Sequence, residues 1–494
     1  MRRFFNIFLN FIKENKLLSI SFLIVFVFFM LQHSWALGWD FAAYVINARY
    51  FFGRGDYAEV LRAPLTSFLL LGEVFFGKVG EYFYLALASI LFFIANFKLA
   101  SLLYIRFFYR YKISRRDFIF LFFIFSVTPF VLHYALLEGT ELLGLAFFEL
   151  FLYCFLRNKI FGHFLALAVL TRYNFLVFAP FLFFNKDYKN IIKNFLSFIL
   201  VLSPWLIFNY FRWGNFFTSI VESYNHSILA RAHLMREFSF FDLFSLINFL
   251  APFFLLGLIY IFYNFTKRKY FQERGWYDLL FLFIFVILLW DYLGIPFKIE
   301  RYLFNLSLPI AYFSVTGFLI LLKVFSKYKK KILLVIFILW IISIIFMTST
   351  FYISRGYDNM YKDSAKVILD KGLEECYVAS HHWVPLNYYT RNAYSLWMTP
   401  QEVIDMNGIV VIFSKDITPD DSFTLESIKN LPIMESQKKY LILANSNLTG
   451  ENCEKRFPYD VPSVEDPCRI IGERFESFGI SVFVEKICLR FNKV

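Results

Sequence analysis

The sequence predicts a multi-spanning α-helical membrane protein, a bundle of about ten or more helices, carrying a small C-terminal α/β or α+β domain outside the bilayer. Three observations carry this. Apolar runs long enough for a bilayer recur to about Thr350. Lys and Arg collect in short loops that fall on one side of the resulting topology. Beyond Phe351 the composition changes to short β-type runs such as "NGIVVIFSK" and "KKYLILANS". The chain is 59 % hydrophobic with 71 Phe, more apolar side chain than a soluble core of this length needs.

The expected spans are Leu17–Leu37, Tyr82–Ile105, Phe118–Leu136, Leu142–Leu156, Ile160–Phe184, Ile191–Phe211, Leu243–Phe262, Leu279–Ile295, Leu303–Leu322 and Ile332–Met347. Leu65–Phe76 is short and reads as an interfacial or re-entrant helix. The first run follows basic residues, as a signal peptide would. It is long enough to cross and has no small-x-small cleavage site, so it reads as a retained helix.

Arg2, Arg3, Lys13 and Lys16 precede that helix. "RFFYRYKISRR", "RNK", "KDYKN", "KRKYFQER" and "KVFSKYKKK" share their side if Ile160–Phe184 turns back at "TRYN" (Thr171–Asn174). The positive-inside rule makes that side, and the N-terminus, cytoplasmic. The loop 38–81, "HYALLEGTE" (His133–Glu141), "TRYN", Gly214–Phe241, "FKIERY" (Phe297–Tyr302) and the C-terminal domain then lie outside. Residues 1–353 form the membrane domain and 354–494 the external one. The net charge of +12 is explained by these loops, and no long basic face for nucleic acid is present. Cys376, Cys453, Cys468 and Cys488 fall in the external domain, where a disulfide is expected and three pairings are open.

Chemistry is expected where polar groups cluster at the outer face. "GWDFAAYVINARYFFGRGDYAEVLRAPLTSFLLLGEVFFG" (Gly38–Gly77) packs Asp40, Arg49, Arg54, Asp56, Glu59 and Arg62 just after the first span. Its start reads as an amphipathic helix with Phe41, Tyr44, Val45, Ala48 and Phe52 on one face. Such a helix would lie along the membrane surface and hold Asp40 at fixed depth. "LLEGTELLG" brings a second acidic pair, Glu138 and Glu141. Other features are discounted. "WDYLG" (Trp290–Gly294) ends a helix, "SHHW" (Ser380–Trp383) reads as a surface loop, and "NHS" and "NLT" are common triplets.

This stretch resembles the first external loop of the GT-C superfamily, the fold of the protein O-mannosyltransferases and lipid A aminoarabinose transferases. Their pattern is an Asp just after the first helix, then Tyr and Ala on a helix, a Gly-Tyr-like turn and a basic-Pro segment. Here the turn is "GRGDY" (Gly53–Tyr57) and the segment is "RAPLTSFLL" (Arg62–Leu70), with Ala63 where a second Pro is common. "LTRYNFLVFAPFLFF", "LSPWLIFNYFRWGNFFTS" and "IERYLFNLSLPIAYF" resemble later family segments in order.

The resemblance implies transfer of a sugar from a polyprenyl-phosphate donor to a protein, glycan or lipid acceptor at the external face. It makes Asp40 the general base or acceptor-orienting carboxylate. Arg301, Arg172, Arg62 and Lys298 are the outer cations suited to the donor phosphate. Asp56, Glu138 and Glu141 are acceptor or metal candidates, with Mg²⁺ or Mn²⁺ the ions such oxygens would favour. The Phe, Ile and Lys bias suggests a prokaryotic cell membrane. The alternative is a transporter or flippase for a lipid-linked or small solute. That role favours charges at mid-membrane, where this chain has little beyond Glu149.

Overall fold

The computed structural model describes residues 12–55, 57–108, 113–184, 187–229, 236–267, 275–296, 298–396, 398–414, 428 and 430–455. The membrane part begins with α1 (Lys16–Trp35), α2 (Trp39–Phe51), α3 (Leu65–Leu69), α4 (Leu71–Phe76) and α5 (Lys78–Leu103). It continues with α6 (Arg115–Ser126), α7 (Pro129–Tyr134), α8 (Glu141–Leu156), α9 (Gly162–Thr171) and a 3₁₀ segment, Tyr173–Phe183. Then come α10 (Tyr188–Trp213), α11 (Thr218–Tyr224), α12 (Phe240–Ile247), α13 (Ala251–Phe265) and α14 (Trp276–Gly294). A second 3₁₀ segment, Glu300–Leu306, leads into α15 (Ser307–Val324) and the long α16 (Lys329–Asp370). Six helical stretches among the described residues are long and apolar enough to cross a bilayer: Lys16–Trp35, Lys78–Arg106, Tyr188–Trp213, Phe240–Phe265, Trp276–Gly294 and Glu300–Val324. The protein is a multi-pass membrane protein.

Three expected spans are built differently. Phe118–Leu136 breaks at Val127, because Thr128 caps α7 through the Val131 N–H and Pro129 occupies its first turn. The Trp340 indole of α16 donates to the freed Val127 carbonyl at 2.7 Å. Leu243–Phe262 breaks at Asn248, whose φ of 45° separates α12 from α13. Ile332–Met347 belongs to a helix that runs on unbroken to Asp370, straight through residue 353. Ile160–Phe184 is interrupted at Arg172, within the expected "TRYN" turn, where the backbone is extended between α9 and the 3₁₀ segment. Leu65–Phe76 is the pair of short helices α3 and α4.

Close helix packing rests on small residues. A Cβ on Gly257 of α13 would lie 2.0 Å from the Phe313 carbonyl oxygen, and one on Gly317 of α15 would lie 2.0 Å from that of Phe253. The two glycines let these backbones touch.

The C-terminal part holds β1 (Val378–Ser380), α17 (Trp383–Thr390), β2 (Ala393–Ser395), α18 (Pro400–Asp405), β3 (Ile409–Phe413), β4 (Ile433–Gln437) and β5 (Tyr440–Leu443). The sheet order is β2-β1-β3-β5-β4. β1 is parallel to both β2 and β3, while β5 is antiparallel to β3 and β4. One face packs on the end of α16 through Met360, Tyr361, Ala365 and Ile368. Cys376 and Cys453 form a disulfide. Cys468 and Cys488 lie outside the described residues, and Cys154 is a buried free thiol.

Candidate functional site

Gly38 is extended and starts α2. A Cβ there would sit 2.0 Å from the Leu137 carbonyl oxygen, so only glycine lets the start of α2 lie on the 137–139 loop. Gly139, at φ +93°, completes that contact, and the Tyr84 hydroxyl of α5 donates to its carbonyl. The result joins two loops about a hundred residues apart in sequence: the Asp40 backbone N–H donates to Glu138 Oε2 at 2.9 Å.

Around that contact stands a compact cluster of charges. Arg62 Nη1 is 2.7 Å from Asp40 Oδ1, and Arg301 Nη1 is 2.5 Å from Asp40 Oδ2. The same Arg301 Nη1 is 3.3 Å from Glu138 Oε2. Arg62 Nε donates to Glu59 Oε2 at 2.5 Å. Glu59 is fixed in turn on α2, since its N–H donates to Asn47 Oδ1 at 2.7 Å and Asn47 Nδ2 donates to its carbonyl at 3.0 Å. The Arg62 guanidinium also lies over the Tyr44 ring at 5.7 Å.

The two central acids are driven apart. Burial alone would raise the Asp40 carboxyl, but Arg301 and Arg62 more than reverse this and hold it well below the usual carboxylate range. Glu138 is pushed up to about 7 by burial, against Arg301 and with the charges of Asp40 and Glu141. Arg301 spends its charge chiefly on Asp40, leaving Glu138 the more easily protonated of the pair. Arg301 Nε is buried without a partner among the described residues, a donor that a native site seldom leaves unused.

The remaining predicted residues divide. Arg172 pairs with Glu141, whose Oε2 accepts from the Thr140 N–H and hydroxyl. Lys298 is buried and donates to the Ile295 carbonyl at 3.1 Å, with no acid partner among the described residues. Asp56 lies outside the described residues. Among those described, no three His, Cys, Asp or Glu side chains converge as a metal-binding set. Glu138 and Glu141 face different arginines.

The expectation of a surface-lying amphipathic helix is corrected. α2 is buried from Phe41 to Arg49, because the C-terminal domain covers the side expected to face water. Trp383 and Val384 of α17 pack on Ala42, Ala43 and Ile46. Arg49 pairs with Glu73 at 2.7 Å and donates to the Tyr388 carbonyl at 3.0 Å. The Tyr388 hydroxyl donates to Glu81 Oε1 at 2.6 Å, and His33 Nε2 meets Glu81 Oε2 at 2.6 Å. "SHHW" is part of this seam rather than a bare surface loop, with the His382 ring against Trp39, Tyr361 and Phe413. Sequence reading assigned no role to Glu59 or to the Arg49–Glu73 pair. The only signal was their charge in an aromatic stretch that had just left the bilayer.

The helical bundle with its small sheet domain is the architecture that the sequence predicts. The chain is similar to two solved structures of ArnT from Cupriavidus metallidurans. One is bound to undecaprenyl phosphate, with TM-score 0.58 and 12 % identity over 89 % of this chain and 99 % of that one. The other is the apo state, with TM-score 0.58 and 13 % identity over 89 % and 98 %. No protein-family model and no curated protein matches the sequence.

Proposed function

We propose that this protein is a membrane glycosyltransferase that moves a sugar from a polyprenyl-phosphate donor to a hydroxyl of a protein, glycan or lipid acceptor. The observation that carries the reading is the buried cluster of Asp40 with Arg62 and Arg301, in a fold shared with an ArnT that binds undecaprenyl phosphate. The donor enters from the bilayer, and the acceptor arrives from the side covered by the C-terminal domain. The charge pattern of the loops favours a cytoplasmic N-terminus and an external C-terminal domain in a prokaryotic membrane. The Cys376–Cys453 disulfide suits that oxidising side.

The leaving phosphate is already an anion and needs neutralisation more than a proton. Arg62 and Arg301 supply it, with Arg172 and Lys298 as further cations, and the unpartnered Arg301 Nε offers a ready donor. The phosphate competes with Asp40 for both guanidiniums. As they turn to it, Asp40 gains room to accept a hydrogen bond from the acceptor hydroxyl. Its two ion pairs favour the orienting role among those the resemblance implies.

The test is turnover of the purified protein in detergent against a panel of polyprenyl-phosphate sugars. Donor-dependent transfer or hydrolysis should fall by about 100-fold or more in Asp40→Asn with folding intact. No turnover of any donor, together with substrate-stimulated lipid or solute movement in liposomes, would establish the transporter instead.

A further inference from the structure

We infer that Glu138 is the group that receives the acceptor proton, with Asp40 the carboxylate that orients the acceptor; this rests on the glycosyltransferase reading above. Both oxygens of Asp40 carry a guanidinium, Arg62 on Oδ1 and Arg301 on Oδ2. A carboxylate so engaged holds a hydrogen bond well and takes a proton poorly. Glu138 shares the same Arg301 Nη1 and accepts the Asp40 N–H, all through Oε2. Its Oε1 has no partner among the described residues, and it sits on the loop whose Gly139, at φ +93°, lies against Phe41 of α2. The nearby acids are committed elsewhere: Glu59 to Arg62, and Glu141 to Arg172 and Thr140. Of the acids described in this cluster, Glu138 combines proximity, an open oxygen and an environment that favours the protonated form. A base that titrates near the working pH is the most effective one.

The step balances without a co-reactant. The acceptor O–H bond breaks and its proton goes to Glu138 Oε1. The acceptor oxygen forms a bond to the anomeric carbon. The bond from that carbon to the phosphate oxygen breaks, its electron pair stays on phosphate, and Arg62 and Arg301 take up the charge. Glu138 then releases its proton to water.

The charged and titratable groups around Glu138 are Asp40 from α2, Arg301 from the 300–306 segment, and Glu141 at the start of α8, with Tyr134, Glu300 and Arg236 further out. Burial pushes Glu138 up to about 7, and its Oε1 is placed to take a proton. The experiment is the pH profile of kcat and kcat/KM for the wild type, Glu138→Gln, Glu138→Asp and Asp40→Asn, beside direct donor binding. Wild-type kcat/KM should rise with pH along an acid limb near neutrality. Glu138→Gln should lower kcat by about 10²–10⁴-fold, leave donor affinity within about threefold, and abolish the limb in the residual rate. Glu138→Asp should keep a reduced rate and a limb, which shows the loss is not misfolding. Asp40→Asn should lower the rate yet keep a limb. Overturning results are a Glu138→Gln enzyme within about threefold of the wild-type kcat, or one whose limb is unmoved. An inactive wild type defeats the glycosyltransferase reading and this inference together. An active wild type indifferent to Glu138 defeats this inference alone.

Discussion

Removing the Asp40 charge should make Glu138 more acidic, and the geometry sets by how much. Both carboxylates touch one Arg301 nitrogen, at 2.5 and 3.3 Å. They are therefore at most about 6 Å apart, and two like charges at that range with an effective dielectric of about 20 repel by about 3 kcal/mol, or about two pH units. Burial, the larger cause, persists in Asp40→Asn, so Glu138 should fall from about 7 by one to two units. The sign for stability follows. In the wild type the folded state keeps the Glu138 proton between its ordinary 4.5 and about 7. Stability from this group is full below that window and is lost as pH rises through it, by roughly 3 kcal/mol. In Asp40→Asn the window narrows and the loss shrinks to about 1–2 kcal/mol. Asp40 itself acts in the opposite sense, but below its ordinary value of 3.8 and outside this range. Thermal unfolding in detergent from pH 4.5 to 8 reads the difference. The wild-type Tm should drop toward pH 8, Asp40→Asn should drop less, and Glu138→Gln should lack this component. Equal slopes in wild type and Asp40→Asn would refute the shared-arginine coupling.

Other parts of the structure give further expectations. Gly257→Ala places a methyl against the Phe313 carbonyl, which cannot yield as a side chain would, so a loss of about 2 kcal/mol or more and a lower Tm are expected. Arg49→Met breaks the buried pair with Glu73 and the bond to Tyr388, at a cost of about 3–5 kcal/mol to the seam. Limited proteolysis should then cut faster around α17, and an unchanged digestion pattern would show the seam does not depend on Arg49. Cys376→Ser with Cys453→Ser opens a link of sequence separation 77, which should cost the C-terminal domain about 4 kcal/mol. Reductant should lower the wild-type Tm and leave the double variant unchanged.

The sequence by itself determined the membrane class, because bilayer length is a local property that an apolar run either meets or does not. It also placed Asp40 at the start of a helix after the first span, and the resemblance singled out Arg62, Arg301 and Glu138 from the charges that cluster at that face. It did not reveal that Asp40 sits between two arginines or that Glu138 shares one of them. Those contacts join residues 22, 98 and 261 positions away from Asp40. No periodicity reports on a partner so distant. The same limit hid the burial of α2. Its apolar spacing described one face correctly, but what covers the other face is α17, more than three hundred residues later. The break at Asn248 likewise needed the packed bundle, because nothing in the apolar run announces its positive φ; the break at Val127 carried a local signal, Thr128 as a cap before Pro129, that the length of the apolar run outweighed. Composition decided where this chain lives; tertiary structure decided which charge meets which, because pair electrostatics depend on distances that only folding sets.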